Sequence, residues 1–161
     1  DFQGSRGLGD VYKRQDADHI GLIRKGNVLY FSHELDAMYF EHGARLHRDL
    51  FLDGLNMVHR RPMINTTLPS TGRVSLLHQA SLNRYVAHLL FASPIKRGNC
   101  EVIEDLVPLY DVPVTIDLPK KITSAVLVPS MKKIPMDKKD NKIEVIIPKF
   151  SCHCAIVFNY E

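Results

Sequence analysis

The hydrophobic period changes once along this chain, at about Met63, and that change limits the fold more than any single motif. From Gly26 to His59 a short apolar strand runs into two stretches of helical spacing. From Met63 onward, short runs are separated by Pro, Gly and Asp/Asn turns. One strand with its helices cannot bury its own faces, because a parallel α/β sheet needs several strands and helices on both sides. The expectation is an α+β fragment: the terminal strand and helices of an α/β domain over residues 16–62, then an antiparallel β-sandwich over 63–161. On that reading the chain is the carboxyl end of a larger protein.

The first 15 residues, DFQGSRGLGDVYKRQ, have no starting Met, no period and no apolar face. They lack the basic start, apolar run and small-residue cleavage site of a signal peptide. Gly7 to Gln15 resembles translated adapter read-through from metagenomic sequencing. A genuine disordered tail is the alternative, and neither reading gives the stretch a function. The formal charge of +3 falls to +2 without it. Basic residues are scattered, so no nucleic-acid partner is expected. No apolar run approaches the roughly 18 residues of a membrane span.

Within the helical part, Lys25-Gly26-Asn27 marks a turn before the strand to Phe31. Ser32 is placed to cap a helix carrying Leu35, Met38 and Tyr39. Gly43 breaks it, and a second helix runs from Ala44 to His59, ended by Arg60-Arg61-Pro62. Its apolar stripe holds Leu46, Leu50, Phe51 or Leu52, Leu55, Met57 and Val58, with Arg45, Arg48, Asp49 and Asp53 on the wet side. In the β part, Arg73–Gln79 and Arg84–Ala92 read as a hairpin joined through Ala80–Asn83. Further strands are expected at Met63–Thr67, Leu109–Leu118, Ile122–Val128, Lys142–Ile147 and Cys154–Tyr160. Pro113 suggests an edge or a bulge, and Pro94–Asn99 reads as a loop. About seven short strands make a sandwich of roughly 100 residues.

Chemistry-bearing residues are sparse. Three Cys are too few for a disulfide scaffold. Cys152 and Cys154 share one strand face with His153 on the other, which defeats a three-ligand cluster, so buried strand cysteines are expected. Cys100 has no partner motif. His42 and His47 are five apart, not the i, i+4 of a helical metal pair. Glu101, Glu104 and Asp105 are the one dense acidic group and read as a solvated loop. Lys132, Lys133, Lys138 and Lys139 cluster with Asp137 and Asp140 as a solvated hairpin. Ser32 and His33 sit at the strand-to-helix turn, but without G-x-S-x-G or a cysteine they make no nucleophile elbow. His88, with Val86 and Leu90 on one strand face, reads as half-buried and bonded to a neighbouring loop.

The segments GNVLYFSHELDAMYFEHGARLHRDLFLDGLNMV, LPSTGRVSLLHQASLNRYVAHLLFA and EVIEDLVPLYDVPVTIDLP resemble the carboxyl region of bacterial beta-galactosidase-like glycoside hydrolases. Those are the proteins with a beta-galactosidase trimerisation domain. The strand Gly26–Phe31 matches their G-x-V-x-Y-F, and Arg84–Leu90 matches R-x-x-x-H-L-L. The resemblance spans about residues 20–161. It implies an upstream catalytic TIM barrel, a flavodoxin- or amidotransferase-like α/β domain ending near residue 62, and a closing sandwich. It also implies a homo-oligomer in the intact protein and carbohydrate bound elsewhere. The family's paired carboxylates lie on barrel strands that nothing here matches, so no catalytic, cofactor-binding or metal residue is assigned and no cofactor is expected. The expected role is structural. The alternative is a stand-alone carbohydrate-binding sandwich, for which Tyr85 and Tyr110 are the best exposed aromatics.

Overall fold

The computed structural model describes residues 21–139 and 142–161. The reading of residues 1–15, and the Asp140 end of the expected lysine hairpin, lie outside them. The chain divides into two compact units, one ending at Arg61 and one spanning Pro62–Glu161.

In the first unit, β1 (Leu22–Lys25) and β2 (Val28–Phe31) form an antiparallel hairpin. Gly26, at φ +59°, supplies the left-handed residue its two-residue turn needs. The described strand pairing is therefore antiparallel, and β1 is a strand the sequence reading did not foresee. Helix α1 (Leu35–His42) follows and stops at Gly43, whose φ of 62° lets its N–H reach the Tyr39 carbonyl. Ser32 does not cap it. The Ser32 hydroxyl donates to the Gly21 carbonyl, and the cap position falls on Glu34 without a side-chain bond. Helix α2 (Arg45–Val58) carries ion pairs on the side read as wet, with Asp49 joined to Arg45 and Arg48. Gly54 is its buried point, set against Leu29 and Phe31 of β2. The apolar stripe, expected to be core only within a fuller α/β layer and bare in this chain by itself, is largely open: Leu46, Leu50, Phe51, Leu52 and Leu55 are all exposed.

The second unit is a two-sheet sandwich. Its strands are β3 (Ile64–Thr66), β4 (Arg73–Gln79), β5 (Arg84–Phe91), β6 (Ile95–Arg97), β7 (Cys100–Val102), β8 (Leu109–Ile116), β9 (Ile122–Val128), β10 (Lys132–Ile134), β11 (Asp137–Lys139), β12 (Lys142–Phe150) and β13 (Cys152–Tyr160). Five strands order as β10-β9-β13-β5-β4 and four as β11-β12-β8-β3, all antiparallel. The small β6–β7 hairpin stands apart.

Strict alternation sends Tyr85, Ala87, Leu89 and Phe91 of β5 inward, and Cys154, Ile156, Phe158 and Tyr160 of β13. Val112, Val114 and Ile116 of β8 meet them with Val145 and Ile147 of β12. The β4–β5 link is a short 3₁₀ turn, Ala80–Leu82, closed by Asn83 at φ +48°. Pro113 sits where β8 has passed the end of β3, so its missing N–H takes nothing from that ladder.

Several expectations change here. Pro94–Asn99 is not a plain loop, because Ile95–Arg97 enters a hairpin with Cys100–Val102. The lysines do not share one hairpin. Lys132 and Lys133 lie on β10 in the five-stranded sheet, while Lys138 and Lys139 lie on β11 in the four-stranded one. The chain changes sheet between them at Pro135-Met136.

Candidate functional site

A concavity of the sandwich unit opens where the chain crosses from one sheet to the other. Strand β8 leaves the four-stranded sheet at Ile116, and Asp117–Lys121 carries the chain to β9 in the five-stranded sheet. The Asp117 N–H donates to the Met63 carbonyl at 3.0 Å and pins the start of that connection. Lys138 of β11 and Lys142 of β12 close the other side. The cleft holds about 540 Å³, within the range of small-molecule sites. Its apolar lining comes from Leu118, Pro119 and Ile143 over the buried Ile116 and Ile122, and its rim carries Lys120, Lys121, Lys138 and Lys142, with Asp117 as the one carboxylate among the described lining residues. Among the described residues none of these four lysines forms an ion pair.

An aromatic cluster adjoins this connection. Lys120 Nζ stands 5.9 Å over the Tyr160 ring. Tyr160 Oη is 2.8 Å from His78 Nε2, and His78 stacks on Tyr85 at 4.3 Å between centroids. Burial, then the neighbouring Tyr160, pushes the Tyr85 phenol above its usual range. The cluster therefore joins β4, β5 and β13 at one end of the sandwich.

The residues singled out from sequence are dispersed. Tyr85 is not an exposed platform: it is 3% exposed and belongs to the core. It sits on the inward register of β5, which strand alternation alone could have shown. Tyr110 is exposed, at 60%, but Lys149 Nζ lies 5.3 Å from the ring centroid on one face. Glu101 is on strand β7 rather than in a loop, and Glu104 accepts a two-pronged hydrogen bond from Arg97 at 2.9 Å. That bond raises the Arg97 guanidinium above its usual range.

Cysteine placement also differs from expectation. Only Cys154 is buried; Cys100 and Cys152 are exposed. Cys152 has φ +64° at the first position of β13 and is exposed, although the ladder with β5 runs through it. Burial pushes the Cys154 thiol up to about 11. Among the described residues no group of three or more His, Cys, Asp or Glu could hold a metal ion.

His88 is half-buried as expected, but its partner is a strand residue rather than a loop. His88 Nδ1 lies 3.1 Å from His153 Nε2, with the two rings only 13° apart in plane and 5.4 Å between centroids. That centroid distance is about the nitrogen separation plus the two ring radii, so the imidazoles lie end to end and share one N–H···N bond. Ser32 and His33 stay on the turn before α1, where the Ser32 hydroxyl donates to the Gly21 carbonyl.

The lysine-rimmed cleft was not read from sequence. Lys120-Lys121 after Pro119 was its one local sign. Its other half depends on β11 and β12 flanking that loop, which no spacing announces.

No protein-family model matches the chain, and no curated protein matches it. Among solved structures it is similar to alpha-L-fucosidase isoenzyme 2 from Paenibacillus thiaminolyticus, with a TM-score of 0.85 and 30% sequence identity. The match covers 92% of this chain and 23% of that one, so the chain spans about a quarter of the fucosidase's length. The helices and sandwich together are thus a domain region related to part of a glycoside hydrolase.

Proposed function

We propose that this chain is the non-catalytic carboxyl-terminal part of a glycoside hydrolase, with a structural role beside a separate catalytic domain. The observation that carries the reading is the match of nearly the whole chain to about a quarter of a fucosidase, at 30% identity. The arrangement of its carboxylates fits that role. Retaining glycosidases need two carboxyl groups about 5 Å apart across the scissile bond. Here Glu104 is tied to Arg97, and Glu101 lies opposite Lys96 on a surface hairpin. The bare apolar stripe of α2 fits a surface that further chain covers in the whole protein.

On substrate, the sequence resemblance points to beta-galactosidase-like enzymes, whereas the structural relative is named for α-L-fucosides. The second has a whole-chain match behind it, so an α-L-fucosidase parent is the reading we favour. The carbohydrate-binding alternative loses support, because Tyr85 is core and a lysine sits over Tyr110.

Coding DNA upstream of Gln15–Asp16 provides the test. The expected result is an open frame running into a barrel with paired carboxylates, whose product hydrolyses aryl α-L-fucosides while the 161-residue chain alone does not. Turnover by the chain alone, or an upstream frame without a barrel, overturns the proposal.

A further inference from the structure

We infer that the lysine-rimmed cleft at the crossing between sheets binds an acidic saccharide, a sugar unit bearing a carboxylate or sulfate group. Its sugar half rests on the glycoside hydrolase reading; its charge half rests on the cleft alone. Lys120, Lys121, Lys138 and Lys142 surround about 540 Å³, with Asp117 as the one acid among the described lining residues. Four ammonium groups around so small a space repel one another, and an anion in the cleft relieves that repulsion. The accessible apolar lining, from Leu118, Pro119 and Ile143, adds the second half of the recognition. A bare inorganic ion would leave that apolar surface wet, whereas the C–H face of a pyranose covers it while its acidic substituent meets the rim.

The rim is also partly organised in advance. Asp117 is tied through its backbone to Met63, and Lys120 is steadied over the Tyr160 ring. Lysines act as compact point charges with rotatable donors, so they suit either acidic group rather than one fixed geometry.

The test is an NMR titration of the full 161-residue chain with a sulfated disaccharide, the same disaccharide without sulfate, and inorganic sulfate. The sulfated sugar should shift the Lys120, Lys121 and Ile143 amides and bind at least about tenfold more tightly than either control. Raising salt from about 0.05 to about 0.5 M should weaken it severalfold. The double variant Lys120→Gln with Lys121→Gln should lose about tenfold in affinity, while Lys132→Gln, on β10 outside the cleft, should not. A thermal melt of each variant checks that the sandwich is intact, and Lys138→Gln serves as a second variant should the first pair fail to fold. Equal binding of the unsulfated sugar, equal binding of inorganic sulfate, an equal loss in Lys132→Gln, or no shift at all would each overturn the inference. None of these readouts needs hydrolysis, so such a failure leaves the upstream-barrel test of the parent enzyme untouched.

Discussion

Gly54 shows how one absent side chain sets a contact. A Cβ there would lie 2.5 Å from Phe31 Cζ and 2.6 Å from Leu29 Cδ2. Phe31 is also held against Phe51, with ring centroids 6.0 Å apart, so its ring has little freedom to retreat. Gly54→Ala gains about 1 kcal/mol in helix propensity but costs about 1–3 kcal/mol by overpacking. The expected net is a loss of about 1 kcal/mol, read as a lower urea midpoint of the helical signal. Cysteine chemistry gives a second residue-scale prediction. With its thiol near 11, Cys154 is about one part in a thousand thiolate at pH 8. Cys100 and Cys152 are exposed. An aromatic disulfide reagent should therefore titrate two thiols quickly in the native chain and a third only in denaturant. Three fast thiols would mean that β13 is not seated in the core.

At the scale of elements, what was legible follows from whether the signal is local. The helix break at Gly43, the α2 span and the β4–β5 hairpin with its Ala80–Asn83 link were readable, because caps and turn residues act on their own neighbours. The inward rows of β8 and β12 were readable as alternation. What escaped depends on partners. β1 has no period of its own and becomes a strand by pairing with β2. Cys152 opens β13 at a positive φ that its sequence does not demand. The lysines divide between sheets because the chain crosses over at Pro135-Met136, and the cleft exists only once Lys138 and Lys142 flank the β8–β9 connection. The core makes a sharp prediction at this scale. Phe158 is fully buried on β13, the strand hydrogen-bonded to both β5 and β9. Phe158→Ala should cost about 3–5 kcal/mol, seen as a large drop in the thermal midpoint of the sandwich. A cost under about 1 kcal/mol would show that this strand does not anchor both neighbours.

The two units of the molecule differ in how much core each has. Sixteen buried residues form one cluster within Pro62–Glu161, drawn from both sheets. In the unit ending at Arg61, Leu35 is the buried apolar side chain among the described residues, while Phe40 is 91% exposed and the α2 stripe is open. Hydrophobic burial is the main favourable term in folding, so the local opening free energy of that first unit must be far smaller than that of the sandwich. Limited proteolysis of the isolated chain should accordingly cut first within residues 21–61 and leave a resistant fragment beginning near Met63. The fragment should keep a cooperative melt, because its core does not draw on the removed segment. Within the whole hydrolase proposed above, the same segment should become protected, since additional chain would cover the stripe of Leu46, Leu50 and Leu55. Placing charge on it, as in Leu50→Glu with Leu55→Lys, should then act in opposite directions in the two settings. It should raise the solubility of the isolated chain, measured by sedimentation over a concentration series, and lower the thermal midpoint of the intact enzyme. Equal protection of both units in the isolated chain would show that the helical unit is stable without a cover and would remove the packing argument for a missing partner domain.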